Sequence, residues 1–321
     1  MQKKQILRTA GFALILGISF GVMAKVTYLA NGIIIEEKEE KPKEQIVKIT
    51  KCGFDRPIRV ATTVNNRPFG WSEWMGNKTT LIGKGYGVNM FREIAEELHL
   101  RFQVVGYNSD DEAISELKKG NLDLLIGVYT PDSTIGRNIV TVYPAIFSNV
   151  FAVYYRNDKA FDVDGFESLI DKKGVMRRSE NIYPLFDTHL PEDVSISLET
   201  TEDAFKQLLS GEADYLIGSP YSVEAELRRY KLHRTIQNAP KAISQAALFM
   251  VLTSATDCWK LKDLLGKAIE KYVADPQKVD RNVRKIIDEW GERFREEPGM
   301  LEMSQKSENA ESEPTTENIK N

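Results

Sequence analysis

Two short polar segments, each directly after a glycine, contain the side chains best suited to bind a small polar ligand. The first runs from Val128 to Pro131 and includes Tyr129 and Thr130, and the second runs from Ser219 to Ser222. Hydroxyl groups both donate and accept hydrogen bonds. If the two segments face each other they form the walls of a cleft, and otherwise they are two ordinary loops.

The sequence offers little for acid–base or metal chemistry. None of the three histidines lies in these segments, and neither cysteine is spaced from a histidine as metal ligands are. Glu180 is the one nearby candidate for a general acid or base. The sequence therefore favours binding over catalysis, with no metal and no cofactor. The enzymatic alternative is a dehydratase or lyase acting on a small acid.

Strand and helix patterns alternate along the chain. Apolar runs predict strands at Ile58–Thr62, Phe102–Val105 and Leu122–Ile126. Helical spacing of apolar residues follows the first strand, and a Ser109/Glu112 capping box followed by Gly120 bounds a helix after the second. Alternating strands and helices indicate an α/β fold with parallel strands and right-handed crossovers.

An internal near-repeat predicts two similar lobes. Residues 120–127 and residues 211–218 both read Gly-x-x-Asp-x-Leu-Ile-Gly, and each follows a capped amphipathic helix. Ligands bind beyond the carboxyl ends of the strands in open α/β sheets. Gly127 and Gly218 mark these ends, so we expect two strand tips that oppose each other across a gap.

Two further apolar runs predict strands that cross between the lobes. Val150–Tyr155 leaves the first lobe and Ala246–Leu252 returns to it, followed by two amphipathic helices. This path places Cys52 and Cys258 in the same lobe, which favours a disulfide between them over two buried thiols.

The two ends of the chain differ from its centre. Basic residues precede the uncharged stretch from Thr9 to Ala24, which is the layout of an export signal or of a retained membrane anchor. A charged run follows it, and the polar residues after Arg295 predict a disordered tail. A net charge of −4 and a pI of about 5.7 argue against nucleic acid as a partner.

The order of these segments resembles that of the bacterial extracellular solute-binding proteins of family 3, which serve polar amino-acid ABC transporters. The resemblance covers about Ile58 to Trp290. The matching pieces are Arg59–Thr62 with Pro68-Phe69, Gly85–Asn89, Gly120–Gly127 with Thr130, Arg137 before Tyr143-Pro144, Gly174-Val175, and Gly211 with Asp214.

The resemblance implies a type II periplasmic-binding-protein fold, in which two α/β lobes joined by two crossing strands close over a ligand. The expected divisions are a signal peptide or anchor at 1–24, a linker at 25–51, lobe 1 at 52–149 with 250–295, lobe 2 at 150–249, and a tail at 296–321.

The resemblance also implies an arginine that binds the carboxylate of the ligand shortly after the third strand, and Arg137 matches that position. A guanidinium group makes two charge-assisted hydrogen bonds to a carboxylate, which lysine does not reproduce. Thr130 and the backbone of Tyr129 match the other partners of the carboxylate. In the second lobe, Ser179 lies in the segment that meets the ligand in the family. Arg178 is unusual in that segment and is either a second contact to an anion or a solvated charge.

Three positions differ from the family pattern or lie beside it. Ser219 stands where members that bind α-amino acids usually have an aspartate for the ammonium group, so a ligand without an amine remains open, as does one whose amine meets Glu180 or a carbonyl. Asn66 stands where an aromatic ring often stacks. Trp71 is a candidate for an aromatic wall, although such residues more often belong to a core.

By resemblance, the chain is expected to be the periplasmic substrate-binding component of an ABC transporter. It would bind a carboxylate-bearing solute, either an amino acid or a related compound, as a monomer and deliver it to an inner-membrane permease. A membrane-tethered ligand sensor is the alternative if the N-terminal segment is retained.

Overall fold

Alternating strands and helices build lobe 1, as the sequence predicts. The computed structural model describes residues 51–76, 78–129, 136–177 and 191–300, all within one compact unit that begins at Ile49. Strand β1 (Ile58–Thr62) pairs in parallel with β5 (Phe102–Val104) on one side and with β6 (Leu124–Val128) on the other. The crossover helices are α1 (Tyr86–Glu97) and α2 (Asp110–Lys119).

A small antiparallel sheet in lobe 1 has no counterpart in the prediction. It contains β2 (Asn65–Asn66), β3 (Gly70–Met75) and β4 (Thr80–Lys84), in the order β2-β3-β4. Its first strand and the loop after it follow directly from β1. The sheet therefore fixes the segment that leaves the carboxyl end of β1.

Lobe 2 repeats the plan of lobe 1. Its parallel strands are β8 (Lys173–Arg177), β9 (Ser195–Glu199) and β10 (Tyr215–Gly218), with β8 in the centre. Helix α3 (Thr201–Ser210) precedes β10 and helix α4 (Pro220–Tyr230) follows it. The two buried strands that end in Gly127 and Gly218 thus occupy matching places in the two lobes.

The near-repeat in the sequence has a structural cause that is the same in both lobes. Gly120 and Gly211 end their helices in the left-handed conformation, with φ of 77° and 83°, which glycine adopts without steric cost. The aspartate three residues later accepts a hydrogen bond from the backbone of the neighbouring strand. Asp123 accepts from Arg59 N at 3.0 Å, and Asp214 accepts from Lys173 N at 2.8 Å.

Two long antiparallel strands cross between the lobes. They are β7 (Ile139–Arg156) and β11 (Ile236–Thr253), each of 18 residues, and both extend well beyond the apolar runs that predicted them. β11 pairs with β6 in lobe 1, and β7 pairs with β10 in lobe 2.

This pairing corrects one expectation, because the glycine-tipped strands β6 and β10 do not lie in separate sheets. The crossing strands join them into one eight-stranded sheet of order β5-β1-β6-β11-β7-β10-β8-β9. The connection runs only through β7 and β11, whose ladder is interrupted between Asn238 and Ser244 and again between Leu248 and Met250.

The last two helices match the prediction and also reach further than it. Helix α5 (Lys262–Val273) and helix α6 (Pro276–Arg293) bury apolar faces in the core of lobe 1. Helix α6 also contacts α4 of lobe 2, where Arg228 pairs with Asp288 at 2.6 Å and Tyr221 donates to Asp280 at 2.9 Å. Among the described residues, no helix combines the length and apolarity needed to span a membrane.

The folded chain continues past the boundary expected at Arg295. Met300 is only 2% exposed and packs in the core of lobe 2. We expect Met300→Ala to lower the free energy of unfolding by about 2–3 kcal/mol, since a buried methionine is replaced by a cavity. Urea denaturation measures this loss. The exposed Glu297→Ala is the control, and equal small effects of the two changes would show that Met300 does not belong to the core.

Cys52 and Cys258 form the expected disulfide, with their Cα atoms 5.1 Å apart. Beside it lies Asp123, which accepts hydrogen bonds from the guanidinium groups of Arg56 and Arg59 at 2.8–3.1 Å. Although the two sulfurs and the Asp123 carboxylate are close together, the sulfurs are bonded to each other and the carboxylate is occupied by two cations. These atoms therefore do not form a metal site as they stand.

Candidate functional site

A chain of hydrogen bonds joins the carboxyl ends of β6 and β10 at the floor of the cleft between the lobes. Asn149 of β7 donates to the hydroxyl of Tyr129 at 2.8 Å, and Ser219 donates to Asn149 Oδ1 at 2.6 Å. Asn66 donates to the same Tyr129 hydroxyl at 3.3 Å. Three residues singled out in the sequence are thus brought together by a fourth, Asn149, which is fully buried on the crossing strand.

Asn65 and Arg67, the residues on either side of Asn66, line a cavity of about 420 Å³ whose walls come from both lobes. Lobe 1 contributes residues of the segment 64–67 and the start of α2 at 108–110, and lobe 2 contributes the start of α3 at 199–201 and Glu226 of α4. A ligand in this space would contact both lobes at once. The cavity therefore has the location that the fold predicts for a ligand.

The helix ends that face the cavity are capped by their own side chains. Ser109 accepts from Glu112 N at 3.1 Å, and Thr200 accepts from Asp203 N at 3.1 Å. Asp110 Oδ1 accepts from Val64 N at 2.7 Å and so holds the segment after β1 in place. Burial raises the pKa of Asp110, and this backbone hydrogen bond partly opposes the shift.

Arg67 is the central cation of the cavity wall. Its guanidinium lies 4.5 Å above the ring of Trp290 and 5.7 Å from that of Trp71, which are favourable cation–π distances. Its Nε is buried and has no acceptor among the described residues. Burial lowers the pKa of Arg67, and the negative charge of Glu226 opposes this shift.

Lobe 2 places further charges opposite Arg67. Glu226 is 2% exposed, and Arg177, at the carboxyl end of β8, is 3% exposed. Arg229 lies one turn after Glu226 on α4, with Nη1 3.7 Å from Glu226 Oε2. The charges of Glu226, Arg229 and Arg177 all act on Arg67 across this part of the interface between the lobes.

The remaining candidates from the sequence are not all placed together. Trp71 is buried, donates to Glu73 at 3.2 Å and packs edge-to-face against Trp290. Trp71 therefore packs against the same ring that Arg67 stacks on. Thr130, Arg178, Ser179 and Glu180 lie outside the described residues.

Arg137 is exposed in a turn before β7, away from the cavity. The next residue of that turn, Asn138, accepts from Ser254 N, and β7 begins by pairing Ile139 with Thr253. Leu252, the residue before Thr253, pairs with Leu124 at the start of β6. Arg137 therefore lies at the opposite end of β6 from Tyr129. Its role in binding a carboxylate stays a prediction that this geometry does not favour.

The sequence did not single out Arg67, Glu226, Arg177 or Asn149. Arg67 directly precedes Pro68-Phe69, one of the segments that carried the family resemblance, and this position was the available signal. Glu226 gave none, because a glutamate within an amphipathic helix is indistinguishable from a solvated one until the helix partner is known.

A second, smaller cavity of about 240 Å³ lies within lobe 1, between the β3–β4 hairpin, α1 and α6. Two of the cations that line it, Lys84 and Arg293, pair with Glu73 at 3.2 and 3.1 Å. It does not lie between the lobes, and we assign the ligand site to the larger cavity.

Solved structures of low sequence identity share this fold. The amino acid ABC transporter substrate-binding protein AbpA from Streptococcus pneumoniae, bound to L-arginine, is 16% identical, with a TM-score of 0.56 over 73% of this chain and 95% of that chain. The GluR0 ligand-binding core from Nostoc punctiforme in complex with L-glutamate is 17% identical, with a TM-score of 0.52 over 73% and 99%.

A third similar structure is a histidine kinase sensor domain with similarity to periplasmic binding proteins. It is 19% identical, with a TM-score of 0.54 over 72% of this chain and 95% of that chain. No protein-family model matches the chain, and no curated protein sequence matches it significantly. The structural comparisons and the strand order together show that the chain has the two-lobed type II periplasmic-binding-protein fold.

Proposed function

We propose that the protein binds a small carboxylate-bearing solute, an amino acid or a related compound, in the cavity between its lobes. The observation that carries this proposal is Arg67 in the wall of a 420 Å³ space, where its Nε is buried and has no acceptor among the described residues. A carboxylate is the partner that a guanidinium fork fits best. The volume falls within the range of small-molecule sites.

Binding would shift the equilibrium between open and closed arrangements of the two lobes. A solute held by Arg67 of lobe 1 and by α4 of lobe 2 contacts both lobes only when they are close together, so it favours the closed arrangement. Charge-assisted hydrogen bonds in a buried cavity supply an affinity of about 8 kcal/mol, or a micromolar Kd.

The partner of the closed form follows from the N-terminal segment. If the segment is an export signal, the protein is the periplasmic substrate-binding component of an ABC transporter and delivers its solute to an inner-membrane permease. If it is a retained anchor, the protein is a tethered ligand sensor, a role supported by the sensor domain that shares the fold. The mass of the mature protein, measured on soluble and membrane fractions, separates the two.

We also propose that the protein is not an enzyme. The described residues that line the cavity include carboxylates but no histidine, and the hydroxyls of Tyr129 and Ser219 both hydrogen-bond to Asn149. A dehydratase or lyase acting on a small acid needs a general base poised over its substrate.

A thermal-shift screen of amino acids, keto acids and polyamines tests the proposed function. A ligand that binds the folded state raises Tm by mass action. We expect hits only among compounds that carry a carboxylate. Stabilisation by polyamines alone, with no carboxylate compound among the hits, would contradict the assignment.

A further inference from the structure

The cavity between the lobes has more negative than positive groups in its wall. Three carboxylates, Asp110, Glu199 and Glu226, line it together with one guanidinium, that of Arg67. A solute carboxylate bound to Arg67 would face these acids across a space of about 420 Å³. A solute with negative charge alone would be repelled by them.

Of the three acids, Glu226 is the one with a fully buried oxygen that has no donor among the described residues. Asp110 already accepts from Val64 N, and Glu199 is only half-buried at the end of β9. Glu226 is 2% exposed, and its Oε2 has no hydrogen-bond donor among the described residues. The Arg229 nitrogen 3.7 Å away is beyond normal hydrogen-bond length.

A second unused acceptor lies on the same face of α4. Ser222 is one turn before Glu226 and fully buried, and its Oγ also has no partner among the described residues. A buried oxygen without a donor costs about 1–3 kcal/mol. Two such oxygens in successive turns leave this face of α4 short of hydrogen-bond partners among the described residues.

We infer that Glu226 binds a cationic nitrogen of the solute while Arg67 binds its carboxylate. The solute class is then a zwitterion, and Glu226 replaces the aspartate whose position Ser219 occupies. Ser219 cannot take this role because it is neutral and its hydroxyl is bonded to Asn149. This inference rests on the proposed function, since it assumes that the solute lies in the same cavity.

Matched sets of solutes test the inference by calorimetry. One set is L-norleucine with hexanoate, which lacks the amine, and pentylamine, which lacks the carboxylate. Another is L-glutamate with glutarate. We expect a zwitterion to bind the unchanged protein at least 10-fold more tightly than its counterpart without the amine, and pentylamine not to bind.

The decisive variant is Glu226→Gln, which keeps the shape of the side chain and removes its charge. We expect it to weaken zwitterion binding by about 10- to 100-fold and to leave the amine-free acids unchanged or tighter. Glu224→Gln is the control, because Glu224 lies on the same helix and pairs with Arg228 outside the cavity.

The outcomes separate the two claims. Equal affinity for a zwitterion and its amine-free counterpart, or equal losses for both in Glu226→Gln, would overturn the role of Glu226 and leave the carboxylate site intact. If no compound of either set or of the wider screen binds, both the role of Glu226 and the proposed function fail.

Discussion

Replacing Arg67 with methionine is expected to weaken solute binding by at least about 30-fold without unfolding the protein. Methionine keeps an unbranched apolar stem that can cover Trp290, while it removes the charge and the fork that receive the carboxylate. Loss of one partner of a buried charged pair costs about 2–5 kcal/mol in binding. Isothermal titration with the best solute from the screen measures the change.

The stability of the free variant gives an independent check. The cationic form of Arg67 is disfavoured by burial, as its lowered pKa indicates, so removing the charge should leave Tm unchanged or raise it. Arg67→Lys keeps the charge without the fork and should bind with intermediate affinity.

Arg137→Met is the matched control, because Arg137 is exposed at the far end of β6. The sequence resemblance predicts that loss of Arg137 weakens binding, whereas the geometry predicts an unchanged Kd. A large loss in Arg137→Met with none in Arg67→Met would return the carboxylate site to Arg137.

Asp123→Asn is expected to produce the largest loss of stability, about 3 kcal/mol in the free energy of unfolding. The Asp123 side chain is fully buried and accepts from Arg56, Arg59 and Thr256. Breaking a buried ion pair by removing one partner costs about 3–5 kcal/mol. The lower end applies because the arginine side chains remain 28% and 33% exposed. Urea denaturation measures the difference.

The internal repeat supplies the control for this change. Asp214 has the same position in lobe 2, where it is exposed and accepts from the backbone N–H of Lys173, so Asp214→Asn should cost about 1 kcal/mol. Equal losses at the two positions would mean that the arginines around Asp123 contribute nothing.

The pH dependence of stability also distinguishes Asp123. Burial would raise its pKa, but the hydrogen bonds from Arg59 and Arg56 prevail and hold it below the usual range. Its contribution is therefore complete above the unfolded value of about 3.9 and is lost as the pH falls from there towards the lower folded value. Asp123→Asn should show a flatter decline in stability between about pH 4 and pH 2.

The sequence predicts those parts of the fold that local rules determine. The Gly-x-x-Asp repeat is visible because a helix end and a strand contact impose it twice, at Gly120 with Asp123 and at Gly211 with Asp214. The same is true of the cap at Ser109. Each depends on residues within a few positions, or on a backbone group that every parallel sheet presents.

Longer-range features were missed for physical reasons. The first half of β11 contains Pro240, Lys241 and several amides, which carry no strand pattern of their own, and it forms a strand because β7 pairs with it. Asn149 lies one residue before the predicted crossing strand. Its function depends on the hydroxyls of Tyr129 and Ser219 at two distant strand ends.

The ligand site shows the same division. The sequence predicts a cleft at the strand ends, and the structure joins Tyr129, Ser219 and Asn66 through hydrogen bonds that involve Asn149. The charged residues of the cavity depend on how the lobes meet. Arg67 and Glu226 come from different lobes. Neither can be recognised as a residue of the cavity until the packing of the two lobes is known.

A crystal structure of the protein with its tightest carboxylate solute tests the central claim most directly. We predict electron density in the cavity between segment 64–67 and α4, with a solute carboxylate within about 3 Å of the Arg67 guanidinium. Density outside this cavity, for example beside Arg137 or in the smaller cavity of lobe 1, would contradict the account.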